Sequence, residues 1–147
     1  MKHILILIFV TFYGCQNEYK IDGNYHLCNN GYYTEIFIKN DSIRAASDMN
    51  GSDLSKWQKM KIKNDTLYFM QFGHLRDSIK GKLKYIGNSK MEFHYFVGSM
   101  GYSFEGTEIL NRIDHDLNFE SIEEFWSGYQ ERKGLANCKV NPKKNAG

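Results

Sequence analysis

The chain has 147 residues, which is enough for one domain and too few for two domains of ordinary size. Its formal net charge is only +2, and charges of both signs are scattered throughout, so nothing in the charge suggests a nucleic-acid partner. Ten Tyr, ten Phe and two Trp stand beside thirteen Gly and a single Pro. Because aromatic residues favour half-buried strands and glycines favour turns, this composition indicates a β-rich domain.

The first fourteen residues are typical of a signal peptide. Met1-Lys2-His3 is a short basic start, and residues 4–12 are apolar. A helix that crosses a membrane needs about 20 residues, so this segment is too short to span one. The alternative is a buried apolar strand. We therefore expect residues 1–14 to be removed from the mature protein.

The residue that follows the apolar segment defines the type of signal. Gly14-Cys15 at this position resembles the lipobox of bacterial lipoproteins. The resemblance implies that Cys15 becomes the first mature residue and carries acyl chains such as palmitate. Several acyl chains make a stable anchor, whereas a single chain holds only marginally. Residues 15–20 would then be a lipidated tether, and the protein would sit in the cell envelope at the outer membrane.

Short strand-like runs separated by turn residues make up most of the remaining chain. Their connections are short and contain no helices, so neighbouring strands should pair antiparallel. A polar loop is expected at residues 48–53, and Asn-Asp pairs at residues 40–41 and 64–65 predict two similar tight turns. The pattern predicts an all-β barrel or sandwich from eight runs: residues 24–28, 33–39, 42–46, 57–63, 66–72, 78–86, 90–97 and 102–113.

One helix is predicted after the strands. Ser121 and Glu124 form a capping-box pattern, in which both side chains satisfy backbone N–H groups. Gly134 suits the left-handed residue that ends a helix, so we expect a domain over residues 21–134 and a tail over residues 135–147. Four apolar residues share one face at helical spacing and should dock on the sheet: Ile122, Phe125, Trp126 and Tyr129.

Eight consecutive strands and a final helix resemble the lipocalins. Gly23-Asn24-Tyr25 opens the first strand where that family carries Gly-x-Trp, and Arg112 ends the last strand where the family often has an arginine. The resemblance implies an antiparallel up-and-down barrel whose mouth can hold a small apolar ligand. Five aromatic residues are candidates to line such a site: Tyr25, Phe37, Phe69, Phe93 and Tyr95.

With Cys15 lipidated, Cys28 and Cys138 remain as an even pair. In an exported, oxidising compartment we expect them to form a disulfide that ties the tail to the first strand. The alternative is two free thiols.

Motifs that carry chemistry are few. The sequence contains no Gly-x-Ser-x-Gly, no phosphate-binding loop and no His-Glu-x-x-His. Asp114-His115-Asp116 crowds possible metal ligands, but neighbours in an extended chain point apart, so no metal and no cofactor is expected. His94 is a candidate for the barrel interior. Asp followed by Ser or Thr and an aliphatic residue resembles an acceptor for bacterial O-glycosylation and also suits a turn into a strand, at Ser42, Thr66 and Ser78.

These features favour a non-enzymatic domain that is anchored in the envelope by lipid and binds a small apolar ligand or a protein. A second hypothesis is an inhibitor or immunity-type lipoprotein that neutralises a toxin or a hydrolase. A third is a hydrolase with an unrecognised site. An apolar cavity lined by Tyr and Phe would favour ligand binding, and a cleft converging on titratable groups would favour the hydrolase.

Overall fold

The computed structural model describes residues 21–49, 51–72, 77–99, 102–114 and 117–139. The predicted signal peptide, Cys15 and the tether lie outside these residues. The described segments form nine strands and one helix, in the order β1 Gly23–Asn29, β2 Tyr32–Lys39, β3 Ser42–Ser47, β4 Asp53–Leu54, β5 Gln58–Lys63, β6 Thr66–Met70, β7 Ser78–Tyr85, β8 Lys90–Ser99, β9 Tyr102–Arg112 and α1 Ile122–Ala136.

Eight of the strands close into a barrel. Each pairs antiparallel with its neighbours in the ring β1-β2-β3-β5-β6-β7-β8-β9, and β9 pairs back with β1 through Tyr25 opposite Arg112 and His26 opposite Asn111. The predicted all-β, lipocalin-like up-and-down barrel is confirmed. β4, which pairs with the end of β3, lies partly in the segment predicted as a polar loop.

The barrel has two distinguishable ends. At the entry end the chain enters β1 and leaves β9, and the β2–β3, β5–β6 and β7–β8 turns lie there. At the far end lie the other four connections. The two Asn-Asp turns of the entry end have matching backbones, with φ of 48° and 57° at Asn40 and Asp41 and of 50° and 57° at Asn64 and Asp65. Positive φ at both central residues is the geometry of a type I′ hairpin turn, which matches the twist of the flanking strands.

Alternation along each strand separates the barrel interior from its outer wall. In β2, for example, Ile36 and Ile38 face the interior, while Tyr33, Glu35 and Phe37 face outward. The interior is apolar and is filled by side chains from all eight barrel strands and from Ile21, which is 3% exposed.

The helix α1 packs against the outer wall formed by β1, β2 and β3. Its N-terminus is capped as predicted, because the Glu124 N–H donates to Ser121 Oγ at 3.1 Å. Phe125 and Tyr129 are buried in an outer cluster with Tyr33, Phe37 and Ala46, whereas Trp126 is partly buried and Ile122 is 46% exposed. Docking of the helix is therefore confirmed, with Ile122 outside the contact.

The predicted end of the helix at Gly134 is wrong. The helix continues to Ala136, and Asn137 adopts the left-handed conformation with φ of 48°. Asn tolerates this conformation because its short polar side chain can hydrogen-bond locally. The extra residues bring Ala136 and Cys138 against the outer cluster, so the helix ends only where the chain is held to the wall.

Candidate functional site

Four of the five aromatic residues proposed to line a ligand site belong to the interior cluster. Tyr25, Phe69 and Phe93 are buried there, and Tyr95 is partly buried. Phe37 does not line the interior. It faces the outer wall, where its ring lies 6.0 Å from the ring of Phe125. The physical reason is strand alternation: with Ile36 and Ile38 inside, the residue between them must point out.

The interior rings form a continuous stack along the sheet. Ring centroids are 6.2 Å apart for Phe69 and Phe93 and 5.7 Å apart for Phe93 and Tyr95. Glycines make room for this stack, since a Cβ at Gly81 would collide with the Phe93 ring and one at Gly106 with the Tyr95 ring. The centre of the barrel is thus occupied by the protein's own aromatic side chains.

The interior becomes more polar and more open towards the far end. Asn29 Nδ2 donates to Glu108 Oε1 at 2.7 Å, across the barrel seam from β1 to β9. Burial raises the pKa of Tyr95, and the nearby carboxylate of Glu108 raises it further, so the phenol stays protonated and available as a donor. Phe104, which pairs with Val97 on the same side of the hairpin, is 62% exposed. The far end therefore combines exposed aromatic surface with a few polar groups.

A buried ion pair that the sequence pattern did not predict lies beneath the helix. Glu35 of β2 is fully buried, and Arg132 of α1 donates to it through Nε at 2.7 Å and through Nη2 at 3.1 Å. Tyr33 donates its hydroxyl to the same carboxylate at 2.8 Å. One signal pointed to this arrangement: Glu35 shares its strand face with Tyr33 and Phe37, a face too apolar to be left in water.

These groups perturb one another. Burial raises the pKa of Tyr33, and the Glu35 carboxylate raises it further by charge and by accepting its hydrogen bond. Burial by itself would lower the pKa of Arg132, but the hydrogen-bonded Glu35 outweighs it and the pKa is raised. Both oxygens of Glu35 accept hydrogen bonds, and the two from Arg132 fasten the helix to the sheet.

Further polar contacts extend along the helix. Tyr129 donates its hydroxyl to the Tyr33 carbonyl at 2.8 Å. Asp48, after β3, accepts from Lys133 at 2.6 Å and from Gln130 at 3.2 Å. The hydrogen bond from Lys133 is the main cause that lowers the pKa of Asp48.

Two adjoining depressions flank the helix and are here called the helix groove. One encloses about 320 Å³ beside His26, Tyr33 and Ile113, and the other encloses about 430 Å³ beside Leu117 and Phe119. Arg132 and Leu135 line both, and Leu135 is 80% exposed. The groove is lined by apolar and charged side chains together, since Arg112 and Asp114 border one depression and Glu124 and Glu131 the other.

The predicted disulfide is confirmed. Cys28 of β1 and Cys138 after α1 are bonded, with Cα atoms 5.3 Å apart and 110 residues apart in the chain. The bond holds the end of the helix to the first strand.

The candidate acceptor residues Ser42, Thr66 and Ser78 each stand at the start of a strand and face outward. For two of them turn geometry explains the preceding aspartate, because Asp41 and Asp65 adopt positive φ. The hydroxyl of Thr66 donates to the Asn64 carbonyl at 3.3 Å.

His94 does not face the interior. It lies on the outer wall, with Nδ1 2.8 Å from Thr107 Oγ1 and Nε2 2.9 Å from Glu105 Oε1. No three His, Cys, Asp or Glu side chains among the described residues come close enough to hold a metal ion. His115 and Asp116 of the Asp-His-Asp run lie outside the described residues.

Within the described segments no helix has the length and apolar character needed to cross a membrane. The chain matches no model of a known protein family and no curated protein sequence.

Proposed function

We propose that the protein is a lipid-anchored lipoprotein of the cell envelope, held at the outer membrane by acyl chains on Cys15, with its barrel acting as a non-enzymatic binding domain. The observation that carries the proposal is the use of the three cysteines. The Cys28–Cys138 disulfide suits an exported chain in an oxidising compartment, and it leaves Cys15, at the end of the apolar segment, as the one remaining thiol.

The anchor is tested by metabolic labelling of cells with an alkyne analogue of palmitate. The wild-type chain should take up the label, and Cys15→Ser should take up none and should leave the membrane fraction. The matched control is the double variant Cys28→Ser/Cys138→Ser, which retains Cys15 and should still be labelled. Label that persists in Cys15→Ser would disprove the anchor.

The binding site that the geometry favours is the far end of the barrel, with a small apolar molecule as the ligand. Its support is the partly buried Tyr95 and the exposed Phe104, with the Asn29–Glu108 pair supplying polar contacts. Apolar walls with few polar groups are typical of sites for small molecules. The buried carboxylate of Glu35 is a poor candidate for a catalytic group, because both of its oxygens already accept hydrogen bonds from neighbouring side chains.

Ligand binding is tested by titrating the purified chain with a fluorescent fatty acid. Tyr95→Ala and Phe104→Ala should weaken binding, because both remove apolar surface at the far end. Ile122→Ala is the control, since Ile122 is an exposed apolar residue on α1, and it should bind as the wild type does. Equal affinity in all four proteins would exclude the far end as the site.

A second candidate is an inhibitor or immunity-type lipoprotein, or another binder of a protein. The observation that favours it is the helix groove, where Leu135 stands exposed between two depressions. Co-purification of a toxin or hydrolase with the wild-type chain, and its loss from Leu135→Glu, would select this candidate over the small ligand.

A further inference from the structure

Two strands of the outer wall carry lysine at every second position. β5 and β7 are separated only by β6, and their outward residues form a positively charged surface here called the lysine face. All six of its lysines are exposed: Lys59, Lys61 and Lys63 on β5, and Lys80, Lys82 and Lys84 on β7.

The strand register sets the spacing of these charges. Lys61 and Lys80 both pair with Tyr68 of β6, so they flank it in one row. Adjacent strands lie about 5 Å apart, which puts facing lysines of β5 and β7 roughly 10 Å from each other at the backbone, with about 7 Å between successive lysines along a strand. Lys63 and Lys82 likewise flank Thr66, whereas Lys59 and Lys84 have no lysine across from them, so the face consists of two columns of three charges offset by one row.

Little on the protein neutralises this array. None of its six lysines forms an ion pair with another described residue. Acidic residues border the array: Glu92 of β8 pairs with Lys84, Asp65 lies in the turn that follows β5, and Glu105 of β9 stands beyond Phe96 in the row of Lys80. The central lysines, Lys61, Lys80 and Lys82, stand opposite Tyr68, Phe96, Thr66 and His94.

Exposed apolar side chains lie among the lysines. Tyr68 is 41% exposed, Met70 42% and Phe96 37%. The Lys80 ammonium lies 6.0 Å from the centroid of the Phe96 ring. Aromatic rings next to lysines are typical of surfaces that settle at the boundary between lipid headgroups and water.

The position of the face relative to the chain's start adds a second argument, which rests on the proposed lipid anchor. Cys15 and Ile21 are six positions apart, a length of chain that can span at most roughly 20 Å. Ile21 is buried in the interior cluster, so the entry end is held within that distance of the lipid. The β5–β6 and β7–β8 turns bring the lysine face to this same end, while α1 packs on β1, β2 and β3 across the ring.

We propose that the lysine face lies on a membrane surface that bears anionic phospholipid headgroups. The short tether brings the face to the lipid, and the lysines then contact the phosphates while Tyr68, Met70 and Phe96 reach the headgroup boundary. In this orientation the helix groove faces away from the membrane. Nucleic acid would suit the same charges, but the Cys28–Cys138 disulfide favours an exported chain.

The test measures how fast each lysine is modified. The full chain is reconstituted into vesicles of pure phosphatidylcholine or of phosphatidylcholine mixed with phosphatidylglycerol, treated with a membrane-impermeant amine reagent and analysed by peptide mass spectrometry. The face lysines should react roughly fivefold more slowly on the anionic vesicles, and high salt should abolish the difference. Lys56 and Lys139, which lie outside the face and away from the entry end, should react equally on both. Equal rates for the face lysines would overturn the proposal.

A triple variant checks that the face acts as a unit. In K61Q/K80Q/K82Q the three remaining face lysines should lose their protection, because the summed charge of all six lysines keeps the barrel on the anionic surface. K56Q/K133Q/K139Q removes the same charge elsewhere, and in this variant the face lysines should keep their protection. Protection by a single-stranded oligonucleotide in solution, with none by anionic vesicles, would assign the face to nucleic acid and overturn the proposal.

The intact mass of the reconstituted chain separates this inference from the proposed function. A lipid mass on Cys15 with unprotected face lysines would refute the membrane contact alone. Protected lysines on a chain without lipid would support the contact and refute the anchor.

Discussion

Arg132 and Glu35 are 97 positions apart in the chain, yet they form a bidentate ion pair in which the carboxylate is fully buried. Removing one partner of such a pair leaves an uncompensated charge in a poorly solvated place. The pair is therefore one of several contacts that dock α1, and it is the one whose carboxylate is fully buried.

Arg132→Met should lower the free energy of unfolding by about 3–5 kcal/mol, because Glu35 would stay buried without its cation. Urea denaturation measures this. The double variant Glu35→Leu/Arg132→Met should recover most of the loss, since it removes both charges. If the double variant is no more stable than the single one, packing of the arginine stem, and not charge, is what matters.

Phe125→Ala should cost about 3–5 kcal/mol, since the ring is only 2% exposed within the outer cluster. Trp126→Ala should cost less, because its indole is only partly buried. Ile122→Ala is the control on the same helix and should change little, as Ile122 is 46% exposed. A ranking by side-chain size, with Trp126 as the most costly, would contradict this packing.

Gly81→Ala should destabilise the barrel by about 1–3 kcal/mol through overpacking. The added Cβ would meet the Phe93 ring and would also lie 2.9 Å from the backbone carbonyl of His94, which cannot rotate away. Gly98→Ala is the matched control, a glycine of the neighbouring strand with nothing within 4 Å of the added atom. Thermal melts compare the melting temperatures of the two variants. Equal values would rule out the close approach of the Phe93 ring and the His94 carbonyl to Gly81.

The pH dependence of stability should contain a contribution from His26. Burial lowers its pKa below the ordinary 6.5, and the nearby Glu35 only partly offsets this. The unfolded chain therefore binds a proton more readily than the folded one, so stability is complete above about 6.5 and falls as the pH drops through the folded pKa. Denaturation curves measured from pH 7 to 5 cover roughly the range where histidine titrates. Over this range the free energy of unfolding should fall less steeply for His26→Gln than for the wild type. Parallel curves would contradict the burial effect.

Much of the fold could be predicted because its causes are local. Alternation in strands such as β7, the Asn-Asp turns and the Ser121–Glu124 cap all act within a few residues of the chain. The side of the wall that Phe37 faces could not be predicted in the same way. β2 carries apolar residues on both faces. Which face lies inside the barrel becomes clear only once the helix is known to cover the other one.

Other features depend on contacts between distant segments. The Glu35–Arg132 pair has no periodic signature in the sequence, so neither residue was predicted to matter. The helix runs past Gly134 because Cys138 must reach Cys28, and a tertiary constraint of this kind overrides the local preference for glycine at a helix end. Four aromatic residues of the interior were among the predicted ligand-lining residues, but the glycines that admit their rings were not predicted.

The bond between Cys28 and Cys138 encloses nearly the whole barrel in one covalent loop of 110 positions. A protease that cuts the chain once, anywhere between these cysteines, cannot release a fragment. The nicked protein would migrate as one species on a gel until a reductant separates it into two. A cut in a connection at the far end would thus leave every strand joined to the same molecule, and the damage would become visible only after reduction.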